Sequence, residues 1–206
     1  PTKEPEVVLA LKRMHRKIGR AQEQATPLIK TLLNQLLDNC DNSVMGIRNQ
    51  VLLRLGYETM RRRSELCAFK FTDISQAPNG KPVIRLNFSK TDQFGTGKII
   101  PISEVLLTLL HQWKNIVGDN GYVLRSIRRH GNIGQHLSPS SVSVILKTLQ
   151  GMIHSDKNTP LLSGHSFRVG AALDLLEQGE PLEKIMLKGG WQSDATAMKY
   201  LRSWIC

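Results

Sequence analysis

Between residues 79 and 102 the chain reads Asn79-Gly80, then Val83-Ile84-Arg85-Leu86-Asn87-Phe88, then a polar stretch from Thr91 to Gly97, then Lys98-Ile99-Ile100-Pro101-Ile102. Asn-Gly is a tight-turn dipeptide because both residues tolerate positive φ, and β-branched residues beside it favour an extended backbone. This stretch predicts a small antiparallel sheet within about 71–101. Outward from it, the apolar residues recur with a helical period. Thr26-Pro27 offers a capping residue and a proline suited to a first helical position, followed by Leu28, Ile29, Leu32, Leu33, Leu36 and Leu37 as a core-facing stripe. A further helix is expected over about 42–55, with Gly56 as its stop. Others are expected at about 103–117, at 138–153 behind Ser138-Pro139, and at 165–178, 181–188 and 194–204. The fold class is therefore mainly α with a small antiparallel β-sheet (α+β). The sequence shows no internal repeat, no low-complexity segment and no obvious second core.

The chain has 206 residues, 40% of them hydrophobic, enough for a substantial core. No stretch approaches the roughly 18 apolar residues of a membrane span, and no secretory signal precedes the first helix, so no membrane partner is expected. Cys40, Cys67 and Cys206 are too few and too scattered for a disulfide framework or a zinc site. A reducing, cytoplasmic setting is expected. The chain begins at Pro1, and it is expected to be a piece of a longer protein. Its net charge is +11, the electrostatic footprint of a protein that meets a polyanion, most often nucleic acid.

Two basic segments fit that partner. Residues 4–24 read as a helix with Lys12, Arg13, Arg16, Lys17 and Arg20 beside an apolar stripe of Val7, Val8, Leu11, Met14 and Ile18. They fit a solvated amphipathic helix as well as a helix and linker leaving a preceding domain. Arg125, Arg128 and Arg129 lie on a glycine-punctuated stretch that suits phosphate contacts and equally an ordinary surface loop. Phosphate-loop, GxGxxG, HExxH and CxxC motifs are all absent, so nothing supports an ATP-driven, zinc-dependent or cofactor-dependent reaction.

Three groups of hydrogen-bond donors remain. His165 and Arg168 are three residues apart, on one face at the start of an expected helix, where free N–H groups and the dipole favour an anion. Alone, this pair is also the ordinary pattern of a solvated histidine and a surface arginine. Arg61-Arg62-Arg63 reads as a solvated run, but Glu65 follows Arg62 by three residues and could pin its guanidinium. Gly189-Gly190-Trp191 is followed nine residues after the tryptophan by Tyr200; core filling and partial burial are the plain readings of those two aromatics.

Taken in order, Arg62-x-Ser64-Glu65-Leu66, Lys90 beside the strands, His165-x-x-Arg168, Gly189-Gly190-Trp191 and Tyr200 resemble the tyrosine recombinases, also called the phage integrase family. The resemblance runs over about residues 25–203. It implies a tyrosine recombinase catalytic-domain fold over 25–206, with 1–24 a helix and linker from an N-terminal core-binding domain. It further implies that Tyr200 attacks a phosphate of double-stranded DNA, forming a 3′-phosphotyrosine bond without metal or ATP. Arg62 and Arg168 would hold the non-bridging oxygens, His165 and Trp191 would add donors, and Glu65 would support Arg62. Lys90 would protonate the departing 5′-oxygen, with Lys98 its rival for that role, and His165 is a candidate to take the tyrosine's proton. A tetramer of the chain on DNA is implied as well. Two other classes share most of these features, a DNA-binding module of the same fold that does not cut, and a type IB topoisomerase-like enzyme.

Overall fold

The computed structural model describes residues 4–18, 25–88, 97–153, 159–195, 197–198 and 201. Its elements in chain order are α1 (Pro5–Ile18), α2 (Lys30–Asp38), α3 (Val44–Thr59), α4 (Arg63–Ala68), β1 (Ile74–Gln76), β2 (Pro82–Leu86), β3 (Lys98–Pro101), α5 (Glu104–Val117), α6 (Pro139–Ile153), α7 (Ser166–Glu177) and α8 (Leu182–Gly189). The fold is mainly helical with one small sheet, as the sequence predicts. The strands lie in the order β1-β2-β3, each neighbouring pair antiparallel, with Ile84 facing Ile74 on one side and Ile100 on the other. Strand β1 carries no signal of its own in the sequence. Three residues, Ile-Ser-Gln, are too short to display an alternation.

Two helix boundaries differ from the sequence reading, each for a tertiary reason. Gly56 does not stop α3, which runs on to Thr59 and ends where Met60 takes φ +54°. Gly56 is instead a point of close approach, since a Cβ there would stand 2.7–2.8 Å from the Phe167 ring of α7. Helix α2 begins at Lys30 rather than at Thr26-Pro27. Residues 25–29 run as a non-helical lead-in that the body of the protein holds, with Leu28 fully buried and its N–H bonded to the Ser166 carbonyl at 3.0 Å. The start of α2 is capped from a distance, the Lys30 N–H donating to Asp174 Oδ2 at 2.8 Å. That carboxylate also accepts the Tyr57 hydroxyl, so one acid of α7 ties α2 and α3 together.

Helix α7 is the axis of the molecule, with nine consecutive buried residues from Ser166 to Asp174. The apolar interior falls into two clusters rather than the single one expected. The larger joins α2 to α7 with the sheet through Leu36, Leu52, Leu66, Ile84, Trp113, Leu146 and Phe167. The smaller gathers Met60, Val169, Ala172, Ile185, Trp191, Ala197 and Leu201. Its alanines carry little hydrophobic signal, which hides it in the sequence. Phe167 and Arg168 are adjacent on α7, so the polar site below opens where the two clusters meet. Among the described residues no helix is long and apolar enough to cross a membrane.

The Gly56–Phe167 contact predicts that Gly56→Ala overpacks the α3–α7 interface. Urea denaturation should show a loss of about 1–3 kcal/mol, with the midpoint lowered and the slope unchanged. A variant as stable as the wild type would show that the two helices are free to separate.

Candidate active site

The corner between α3 and α4 presents the first guanidinium. Met60 ends α3, and Arg62 is the residue before α4. Glu65, 6% exposed, accepts the Arg62 backbone N–H on Oε2 at 3.1 Å and the Arg62 Nη1 on Oε1 at 2.8 Å. The buried carboxylate thus caps the helix and grips the side chain at once. With 28% of its side chain still exposed, Arg62 is held from behind and offered in front.

The start of α7 supplies the next two groups. A turn at 163–166, closed by the Ser166 N–H on the Ser163 carbonyl at 2.9 Å, leaves His165 exposed beside the helix start. One turn on, Arg168 is 4% exposed, donates Nη2 to the Gly189 carbonyl at 2.8 Å and lies 4.9 Å from the centre of the Trp191 ring. Such stacking is worth about 2 kcal/mol when desolvated. The imidazole of His165 is pushed below the usual histidine range, by partial loss of hydration and then by Arg168, Arg62 and Arg63. These effects favour its neutral form, and it stands within electrostatic reach of all three arginines.

The last turn of α8 closes the site from the other side. Gly190 caps it at φ +70°, a conformation that favours glycine. Three successive carbonyls there receive three cations. Leu187 accepts the Lys98 ammonium, Lys188 accepts Arg61 Nη2, and Gly189 accepts Arg168. Burial, Arg61 and Arg168 lower Lys98 to about 8, with Glu65 opposing them. Arginines and an ammonium gathered around one buried acid form a site for an anion such as a phosphate, and bidentate guanidiniums suit its oxygens.

The structure therefore brings together Arg62, Glu65, His165, Arg168 and Trp191, and it adds Lys98, already singled out in the sequence as a rival to Lys90. Lys90 and Tyr200 lie outside the described residues; Ala197 and Leu201, on either side of Tyr200 in sequence, are buried in the smaller cluster. Arg61 was missed. Within a run of three arginines nothing marks one as buried, and the only hint is the Gly189-Gly190 pair, which leaves room for a side chain. Of the basic surface residues, Arg13 and Arg16 are exposed on α1, and the Lys17 side chain lies outside the described residues. Arg128 and Arg129 are exposed on a tight turn closed by the Arg128 N–H on Asn132 at 2.8 Å. Arg125 is half-buried, bonded to the carbonyls of Tyr122 and Asn120.

The family model of the phage integrase family matches residues 28–204. The recombinase cre of Escherichia phage P1 is 27% identical over 221 residues, covering 98% of this chain and 64% of its own. An integrase/recombinase xerD homolog of Selenomonas ruminantium is 29% identical over 210 residues, covering 98% of this chain and 61% of its own. The chain thus spans less than two thirds of the length of these relatives. Among solved structures, XerA recombinase superposes with a TM-score of 0.67 at 17% identity, covering 94% of this chain and 69% of that one. A lambda integrase dimer bound to a COC′ core site gives 0.65 at 21% identity, covering 88% and 49%. At these identities the structural likeness establishes the fold.

The lowered Lys98 predicts a pH signature. Folding moves it from 10.5 to about 8, so between those values the folded chain binds fewer protons than the unfolded one and stability rises with pH. Below that window the cost of burying the charged form is fully present. Denaturation of the wild type and of Lys98→Met across the window should show the wild type gaining stability relative to the variant. A constant difference would mean that Lys98 keeps an ordinary pKa.

Proposed function

The chain belongs to the phage integrase family, and from that premise we propose that it is the catalytic part of a site-specific DNA recombinase, residues 25–206 forming the catalytic domain. The observation that carries the reading is the pair Arg62 and Arg168, each anchored from behind by a buried acceptor and both favouring the neutral form of His165. Two fixed guanidiniums around one point suit the pentacoordinate phosphorus of phosphoryl transfer, whose charge builds on the non-bridging oxygens.

In the proposed step Tyr200 Oη forms a bond to phosphorus as the bond from phosphorus to the 5′-oxygen breaks. The product is a 3′-phosphotyrosine and a free 5′-hydroxyl. The tyrosine's proton leaves to a base, for which neutral His165 is suited, and Lys90 supplies a proton to the 5′-oxygen. The Trp191 indole serves as a further donor. The phosphotyrosine keeps the energy of the broken ester, so a second 5′-hydroxyl reverses the step and joins a new strand with no ATP. Double-stranded DNA is the proposed partner, with Arg13, Arg16, Lys17, Arg125, Arg128 and Arg129 as the basic residues proposed to contact it. Residues 1–24 are proposed as helix and linker from an N-terminal domain, and strand exchange as the work of a tetramer on DNA, in a cytoplasmic, nucleoid-associated setting.

The test is covalent trapping. Wild type and Tyr200→Phe are incubated with EDTA and a pool of nicked duplexes of varied sequence, then denatured and resolved on a gel. The wild type should form a protein–DNA adduct, and Tyr200→Phe should form none while binding DNA with similar affinity. An adduct that survives Tyr200→Phe refutes the nucleophile. DNA bound by the wild type with no adduct points to a binder, and relaxation of supercoils without sequence preference points to a topoisomerase. Binding should also fall steeply with salt, because phosphate contacts release counterions. A flat salt dependence would count against DNA as the partner.

A further inference from the structure

Arg61 is a buried cation that the proposed reaction does not use. It is 3% exposed, and burial works against its charge. The nearby acid Glu65 favours that charge but accepts its hydrogen bonds from Arg62. Arg61 bonds to backbone instead. Nε donates to the Thr59 carbonyl at 2.7 Å, and Nη2 donates to the Lys188 carbonyl. Buried charge is costly unless its donors are satisfied, and carbonyls at helix ends, which bear partial negative charge, are suited to satisfy them.

The two carbonyls belong to different parts of the molecule, the last residue of α3 and the last turn of α8. At one end of this strut the next residue in the chain is Arg62. At the other the next carbonyl, that of Gly189, holds Arg168. Gly190 makes room, since a Cβ there would come 2.9 Å from Arg61 Nη1. We propose that Arg61 is a positioning residue that sets the separation of the Arg62 and Arg168 guanidiniums by clamping the α3–α4 corner to the last turn of α8. The inference rests on the reading that these two arginines share one phosphate.

Arg61→Leu removes both bonds. Arg61→Lys keeps the charge, but a single ammonium lacks the fork that spans two carbonyls. Each full-length variant is compared with the wild type on the linkage that the wild-type adduct identifies, made once as a phosphodiester and once as a neutral methylphosphonate. The neutral linkage asks less of paired guanidiniums. On the phosphodiester, Arg61→Leu should slow adduct formation on the order of a hundredfold and Arg61→Lys roughly tenfold, as expected of misplaced catalytic groups. DNA affinity and circular dichroism should be unchanged, because the Arg61 side chain is buried and bonded to backbone carbonyls. On the methylphosphonate both losses should shrink to within about threefold, since the placement of two guanidiniums matters less there.

Phosphodiester rates close to wild type, or equal losses on the two linkages, overturn the proposal. If Arg61→Leu does not fold, Arg61→Lys decides by the same comparison. No adduct from the wild type on any duplex removes the recombinase reading and this inference with it. A normal wild-type adduct with unaffected Arg61 variants overturns this inference alone.

Discussion

The last turn of α8 holds the site together. A helix C-terminus carries about half a unit of negative charge on carbonyls with few intrahelical partners. Here that charge meets Lys98 from β3, Arg61 from the α3–α4 corner and Arg168 from α7. The three come from regions far apart in sequence and would repel one another if brought together in an apolar pocket. Backbone carbonyls do what one carboxylate could not, because they offer three separate acceptors in a row and fix three directions at once. Glu65 supplies the complementary negative charge on the opposite wall and holds Arg62.

This arrangement explains why a strongly basic chain can bury guanidiniums without matching acids. Arg61 and Arg168 are buried, yet each is bonded to peptide oxygen, and Arg168 is also stacked on Trp191. Peptide acceptors do not titrate, so these contacts persist across the pH range in which His165 and Lys98 change charge. They also leave the cluster with net positive charge, which an ion-paired core would cancel. An anion-binding site needs that surplus.

Much of the fold was legible because it rests on local pattern. The leucine stripe of α2, the Ser138-Pro139 start of α6 and the apolar strands β2 and β3 each show their element within a few residues. The Arg62–Glu65 and His165–Arg168 spacings likewise placed charged groups on one helix turn, where the structure has them. What was not legible depends on distant partners. Gly56 reads as a helix stop until Phe167 is set against it, and Thr26-Pro27 reads as a helix start until Ser166 and Asp174 claim Leu28 and Lys30. Arg61 is hidden for a deeper reason. Its acceptors are backbone carbonyls, which every residue carries, so no side-chain motif announces them.

The same positive surplus that readies the site for an anion also strains it. His165 and Lys98 are both driven toward their neutral forms, and in each case nearby guanidiniums add to the effect of burial. An anion seated between Arg62 and Arg168 would offset those guanidiniums and lift both groups back toward their ordinary values. Binding and protonation are therefore coupled. The guanidiniums favour a neutral imidazole, able to accept a proton, and an anion between them would favour its charged form once the proton has arrived. The guanidiniums disfavour a proton on the imidazole, and it is the attraction of an anion seated between them that would hold a transferred proton in place.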